Sequence, residues 1–161
     1  EQLGEGTKNF ETELEIGVSA FISENYIHGE AQRIDAYKQI AEIASDADEI
    51  RVTESLSQNY GEIPAEVLNL IKIAKLKALC SKFEIIKAEL GKKAARLIFK
   101  NLDSLSLGGI VDSLNGGKTS AKLTFGNNPE IHFDAGSKDA CAILDEMIEF
   151  LAEADNGKAK L

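Results

Sequence analysis

Thiols, imidazoles and basic side chains are all scarce in this chain of 161 residues. The only cysteines are Cys80 and Cys141, too few for the disulfide framework of a small secreted domain. They read as free, buried thiols in a reducing cytoplasm. The only histidines, His28 and His132, lie far apart and in no metal-ligand spacing, so no metal or cofactor is expected. Lys and Arg number 18 against 27 Asp and Glu, a formal net charge of −9. A nucleic-acid-binding module normally carries a basic face, so that class is disfavoured. No apolar run approaches the roughly 20 residues that span a bilayer. Repeats and low-complexity tracts are also missing.

What is present is enough apolar material for one core: 43% of residues are hydrophobic, in a length suited to a single domain. The organising stretch runs over residues 59–83. Pro64 suits the first turn of a helix, where its missing N–H costs nothing, and no Gly or Pro interrupts residues 65–82. Glu62 and Glu66 lie near the positive end of that helix. Val67, Leu70, Ile71, Ala74, Ala78 and Leu79 recur at helical spacing, and Leu68, Ile73 and Leu76 widen the apolar face. This is the expected central, mostly buried helix, with Lys72, Lys75, Lys77 and Lys82 marking its one wet edge.

Residues 1–9 are polar and Gly-rich and read as a linker; the chain starts without Met, which suggests a piece of something longer. Residues 10–21 alternate as a half-buried strand, with Leu14, Ile16, Val18 and Ala20 on one face. From Gly29 the period becomes helical, with Ile34, Tyr37, Ile40, Ala41 and Ala44 inward. A second short helix is expected over 48–58, stopped by Gly61. Two apolar runs, 84–90 and 94–100, flank a Gly-centred turn and predict a hairpin; 121–125 and 130–134 predict another. Between them a short helix follows Asn101 or Asp103, weakened by Gly108-Gly109. A last helix is capped by Ser137 or Asp139, with Ile143, Leu144, Met147, Ile148 and Leu151 inside, and its end frays from Asn156. Helices and antiparallel hairpins segregate, so the fold class expected is α+β, a single domain with a central buried helix and a small sheet built from antiparallel hairpins.

No reactive constellation emerges. Gly117-Lys118-Thr119 lacks the earlier glycine of a phosphate loop, since Asp112 holds that position. Asp134 lies two residues from His132, a pairing common by chance. Asp145-Glu146 and Glu153 with Asp155 read as solvated charge on the last helix. The expectation is that the chain is not an enzyme.

Three blocks carry a resemblance. Leu14-Glu15-Ile16-Gly17-Val18-Ser19-Ala20-Phe21-Ile22 precedes Tyr26-Ile27; Arg33-Ile34-Asp35-Ala36-Tyr37-Lys38-Gln39-Ile40-Ala41 follows; then Glu49-Ile50 leads through Tyr60-Gly61-Glu62-Ile63-Pro64 to Val67, Asn69-Leu70-Ile71, Ile73-Ala74 and Leu76-Lys77. Their order and spacing resemble the C-terminal domain of the bacterial transcription-repair coupling factor family (Mfd) over roughly half the chain. The resemblance implies a regulatory, autoinhibitory domain of a cytoplasmic DNA-repair translocase. Such a domain packs on the UvrB-like N-terminal module, masks UvrA recruitment and restrains the ATPase motor until RNA polymerase is engaged. It implies a linker over residues 1–13, the domain over 14–154 and a flexible tail over 155–161. It also points to Glu54, Ser55, Gln58, Asn59, Tyr60 and Glu62 as partner-contact residues. The family's charged pattern E-L-x-D-R-F-G is replaced here by Ser55-Leu56-Ser57-Gln58-Asn59-Tyr60-Gly61, so the contact either rests at this place on the amides of Gln58 and Asn59 or lies elsewhere. The alternative is a stand-alone module that binds a protein partner in trans.

Overall fold

The computed structural model describes residues 10–92, 94–116, 120–135 and 138–159. In chain order its elements are β1 (Glu13–Ile16), α1 (Glu30–Ala41), α2 (Asp46–Tyr60), α3 (Ala65–Lys82), β2 (Ile85–Leu90), β3 (Ala95–Phe99), α4 (Ser104–Asn115), β4 (Lys122–Thr124), β5 (Glu130–His132) and α5 (Ala140–Ala159). The α+β class expected from the sequence holds.

Local chemistry sets the helix ends. The Ser45 hydroxyl accepts from the Asp48 N–H while the Asp48 carboxylate accepts from the Ala44 N–H, a reciprocal cap at the start of α2. Asp103 caps α4 through the Ser106 N–H, and Asp139 accepts from the Cys141 N–H at the head of α5. Gly61 stops α2 at φ 88°, a conformation that favours glycine. Gly108-Gly109 does not break α4. Gly157 of α5 approaches Gly109 so closely that a β-carbon on Gly157 would stand 3.2 Å from the Gly109 α-carbon. Close helix contact thus offsets the poor helix propensity of glycine. α5 continues to Ala159 through the segment assigned to the tail, with Gly157 buried.

Both expected hairpins form, β2–β3 and β4–β5, and join through antiparallel β3–β5 pairing in one sheet of order β1-β2-β3-β5-β4. Two features depart from expectation. The sheet is mixed, because β1 pairs parallel to β2. The first strand is also confined to Glu13–Ile16 rather than 10–21. The Gly17 N–H makes a last bond to Leu90 O, the Val18 N–H folds back to Ile16 O, and the Asn69 amide then holds Ser19 O at 2.9 Å. Those bonds turn the chain off the sheet towards α3.

The buried residues form two clusters. The larger fills the space between the sheet and α3, α4 and α5, with Leu97, Phe99, Ile131, Leu144 and Met147 fully buried. The smaller joins the loop before α1 to α1, α2 and the first half of α3, around Ile27, Ile40, Val52, Leu56 and Val67. α3 supplies both, Val67 and Ile71 to one and Leu76 and Cys80 to the other, which is the central role its sequence predicts. Burial pushes the Cys80 thiol up to about 12.

Three assignments of facing are corrected. Leu68 is 41% exposed whereas Asn69 is buried, because the Asn69 amide is needed under the Ser19 carbonyl. The α3 lysines are not simply a wet edge: Lys75 pairs with Glu49 of α2 at 2.9 Å, and Lys72 and Lys82 pair with Asp145 and Asp155 of α5 at 3.0 and 3.1 Å. Asp145 and Asp155 of α5 are therefore ion-pair partners, and Glu146 likewise binds Lys138. Finally, α1 buries Ala36 and Ile40, leaving Ile34 and Tyr37 largely exposed.

The sheet face turned away from the helices carries a charged ladder. Arg96 binds Glu89 at 2.7 Å and Glu130 at 3.3 Å, and Glu130 also meets His132 at 3.0 Å. The Arg96 guanidinium holds the Glu89 carboxyl below the usual carboxylate range; the Ala44 N–H, and then Arg51, do the same for Asp48. A depressed carboxyl contributes stability that is complete above its unfolded pKa, near about 4, and is lost as pH falls through the folded value. The double variant Asp48→Asn/Glu89→Gln is therefore expected to flatten the acid limb of a stability–pH profile from urea unfolding. An acid limb as steep as that of the parent sequence would refute the assignment.

Candidate interaction surface

The expected contact residues lie at the C-terminal end of α2. Val52 and Leu56 point into the smaller cluster. Helical periodicity then turns Glu54 and Gln58, four residues apart, outwards together, and both are exposed. Ser55 and Asn59 form the adjoining row, with the Asn59 amide donating to the Ser55 hydroxyl at 3.4 Å. These four share one polar face. Glu62, also exposed, lies just past the Gly61 stop.

Tyr60 stands apart from that face. Its ring packs edge-on against Tyr26, centroids 5.8 Å apart. The Tyr26 hydroxyl donates to the carbonyls of Leu56 and Gly61, each at 3.2 Å. Burial, then the neighbouring Tyr60, raises the Tyr26 phenol above its ordinary pKa. Tyr60 is thus a side wall that fixes the end of α2 and still exposes 36% of its surface. The sequence could not reveal Tyr26 as its partner, because the loop that carries it is distant in the chain.

The electrostatics of this end run one way. The last turn of α2 carries no basic residue, so the negative pole of the helix is uncompensated. Glu54 and Glu62 add two carboxylates. The surface can accept hydrogen bonds from a guanidinium or ammonium group, and Gln58 and Asn59 can both donate and accept.

Elsewhere, Arg33 is structural: its guanidinium donates to Ile27 O and His28 O at 3.0 and 2.9 Å. His28 lies in a loop and His132 in β5. Among the described residues no group of three metal-ligating side chains occurs, and no helix is long and apolar enough to cross a membrane. Residues 117–119, and Ser137 as a cap, lie outside the described residues. A cleft of about 230 Å³ opens between the α1–α2 connection, α3 and α5, floored by Ala78, Leu79 and Ile148. The Lys75 and Lys82 ammoniums at its mouth are already paired with carboxylates.

The chain is 31% identical over 104 residues to the transcription-repair-coupling factor of Borreliella burgdorferi, covering 65% of this chain and 9% of the relative. It is 30% identical over 105 residues to that of Bacillus subtilis, covering 64% and 9%. The chain thus spans under a tenth of the length of these relatives. Its fold superposes on the crystal structure of the C-terminal domain of transcription-repair coupling factor with a TM-score of 0.82, at 20% identity, over 94% of this chain and 96% of that one. The TRCF domain family matches residues 16–110, more than half of the sequence, and the chain belongs to that family.

Proposed function

We propose that this TRCF domain is a non-catalytic, reversible lid within a cytoplasmic transcription-repair coupling factor. In this reading it packs on the UvrB-like N-terminal module of its parent, masks the surface that recruits UvrA, and restrains the ATPase motor until RNA polymerase is engaged. The supporting observation is the polar face of exposed Glu54, Gln58 and Asn59 and half-buried Ser55 at the unneutralised negative end of α2, in a domain of this family. In this reading the polar residues that precede β1 lead from the motor, while Glu13, assigned to that linker by the sequence, belongs to the sheet.

A tethered lid needs little contact energy, because the tether supplies a high effective concentration. Holding the closed form at 99:1 requires about 2.7 kcal/mol net. A small, partly polar contact suits that value, and a far tighter one could not be released. Arg or Lys side chains on the partner complement the face, and such pairing selects and steers more than it tightens.

The test uses the full-length parent protein. Deleting the domain is expected to raise basal ATPase activity and UvrA binding. Glu54→Arg/Gln58→Arg should reproduce part of that rise while leaving the fold intact, since both side chains are solvent-facing. Unchanged ATPase and UvrA binding in the deletion would sink the lid. A parent without motor motifs would instead favour a module acting in trans.

A further inference from the structure

We infer that the outer face of α1, with the loop that precedes it, is a second docking surface, built for a basic amphipathic segment of a partner polypeptide. Ile34 and Tyr37 lie one turn apart on the exposed side of α1 and are 51% and 39% exposed. The Tyr37 hydroxyl accepts a 2.8 Å hydrogen bond from the Ile22 N–H, which brings the loop against the ring. Phe21, the neighbour of Ile22, is 46% exposed. Exposed Ala41 extends the stripe by a further turn. Single exposed apolar residues are ordinary on a protein surface; three large ones adjoining are not.

The platform is pre-formed. Besides the Tyr37 bond, the loop is held by Asn69 on Ser19 O, by Arg33 on Ile27 O and His28 O, and by Tyr26 on the end of α2. Ile22 and Ile27 anchor its inner side in the smaller cluster. A surface already ordered loses little conformational entropy when it binds.

Charge selects the occupant. Glu24, Glu30, Asp35 and Glu42 are exposed on α1 and the adjoining loops, against Lys38 and the half-buried Arg33, which pairs with Glu24. Between Glu24 and Glu62 the chain carries nine carboxylates and three basic side chains. A second copy of this chain would set like charge against like, and nucleic acid or an anionic lipid surface would be repelled. A helix with Leu or Phe on one side and Lys or Arg flanking it satisfies both the apolar stripe and its acidic rim. This surface lies on α1, not on the α2 end assigned to the lid contact, so neither reading depends on the other.

The test is an amide-resolved NMR titration of the folded domain with a Leu/Lys amphipathic peptide about 14 residues long, roughly four helical turns. Its Leu/Glu counterpart and phosphatidylserine vesicles serve as competitors of the idea. Saturable shifts should centre on Phe21, Ile34, Tyr37 and Ala41 with the Leu/Lys peptide alone. Ile34→Asp and Phe21→Ser should each weaken it about tenfold, as for a centrally placed contact residue, with unchanged circular dichroism. Glu30→Lys should weaken it without touching the apolar stripe. Shifts centred on Gln58 and Asn59, equal binding of the Leu/Glu peptide, attachment to the vesicles, or full affinity in all three variants would each overturn the inference.

Discussion

Phe99→Ala is expected to lower the unfolding free energy by about 3–5 kcal/mol. Phe99 is fully buried, in register with Ile85 on β2, and its ring meets Phe83 edge-on with centroids 6.4 Å apart. Its backbone is also committed, donating to Pro129 O and accepting from the Asn128 amide. The surroundings therefore cannot collapse easily into the space a lost ring would leave. A domain of ordinary stability has about 5–15 kcal/mol in total, so the variant should melt on the order of 10 °C lower. Ile86→Ala, at a half-exposed position next to the β2 irregularity, serves as the mild control. Urea unfolding of both measures the difference; a loss below about 1 kcal/mol for Phe99→Ala would mean that the sheet-side core does not depend on this ring.

Asn69→Asp should be nearly as damaging at neutral pH and harmless in acid. The buried Asn69 amide donates to Ser19 O at 2.9 Å, and its carbonyl faces the Cys141 thiol at 3.8 Å. A carboxylate there would lose the donor and set its charge against the Ser19 carbonyl. Lys72, one turn on, is already engaged by Asp145. The introduced carboxyl would be pushed above its unfolded value of about 3.9. Its penalty is therefore missing below that pH, grows as pH rises towards the folded value, and reaches about 3–5 kcal/mol for an uncompensated buried charge. Asn69→Ala loses the hydrogen bonds only, about 1–3 kcal/mol, with no such pH dependence. Stability profiles of the two variants that run parallel in pH would refute a buried, dry contact at Asn69.

Much of the architecture was legible for local reasons. Gly-centred turns between apolar runs marked both hairpins, Gly61 marked the end of α2 and Asp103 the start of α4. Within the candidate contact, the outward direction of Glu54 and Gln58 follows from Val52 and Leu56 facing in. The parallel pairing of β1 with β2 was not legible, because three helices separate the strands and their packing alone sets that register. Nor was the role of Tyr60, whose partner Tyr26 comes from a distant loop. The inward face of α1 was not legible for a related reason. Periodicity favours the largest apolar side chains, Ile34 and Tyr37, but the helix is docked by Ala36 and Ile40 with the Tyr37 hydroxyl spent on the Ile22 amide.

By itself the sequence determined the α+β class, the order of the elements, the centrality of the helix after Pro64 and the acidic character of the molecule. These depend on period, caps, turns and charge count, which are properties of neighbouring residues or of composition. Only the tertiary structure decided which lysines of α3 pair with α2 and α5, why Asn69 rather than Leu68 is buried, and which apolar side chains of α1 were left facing water. Each of those is a choice among faces that local energetics leave nearly equal, and it is settled by hydrogen bonds and contacts between segments far apart in the chain.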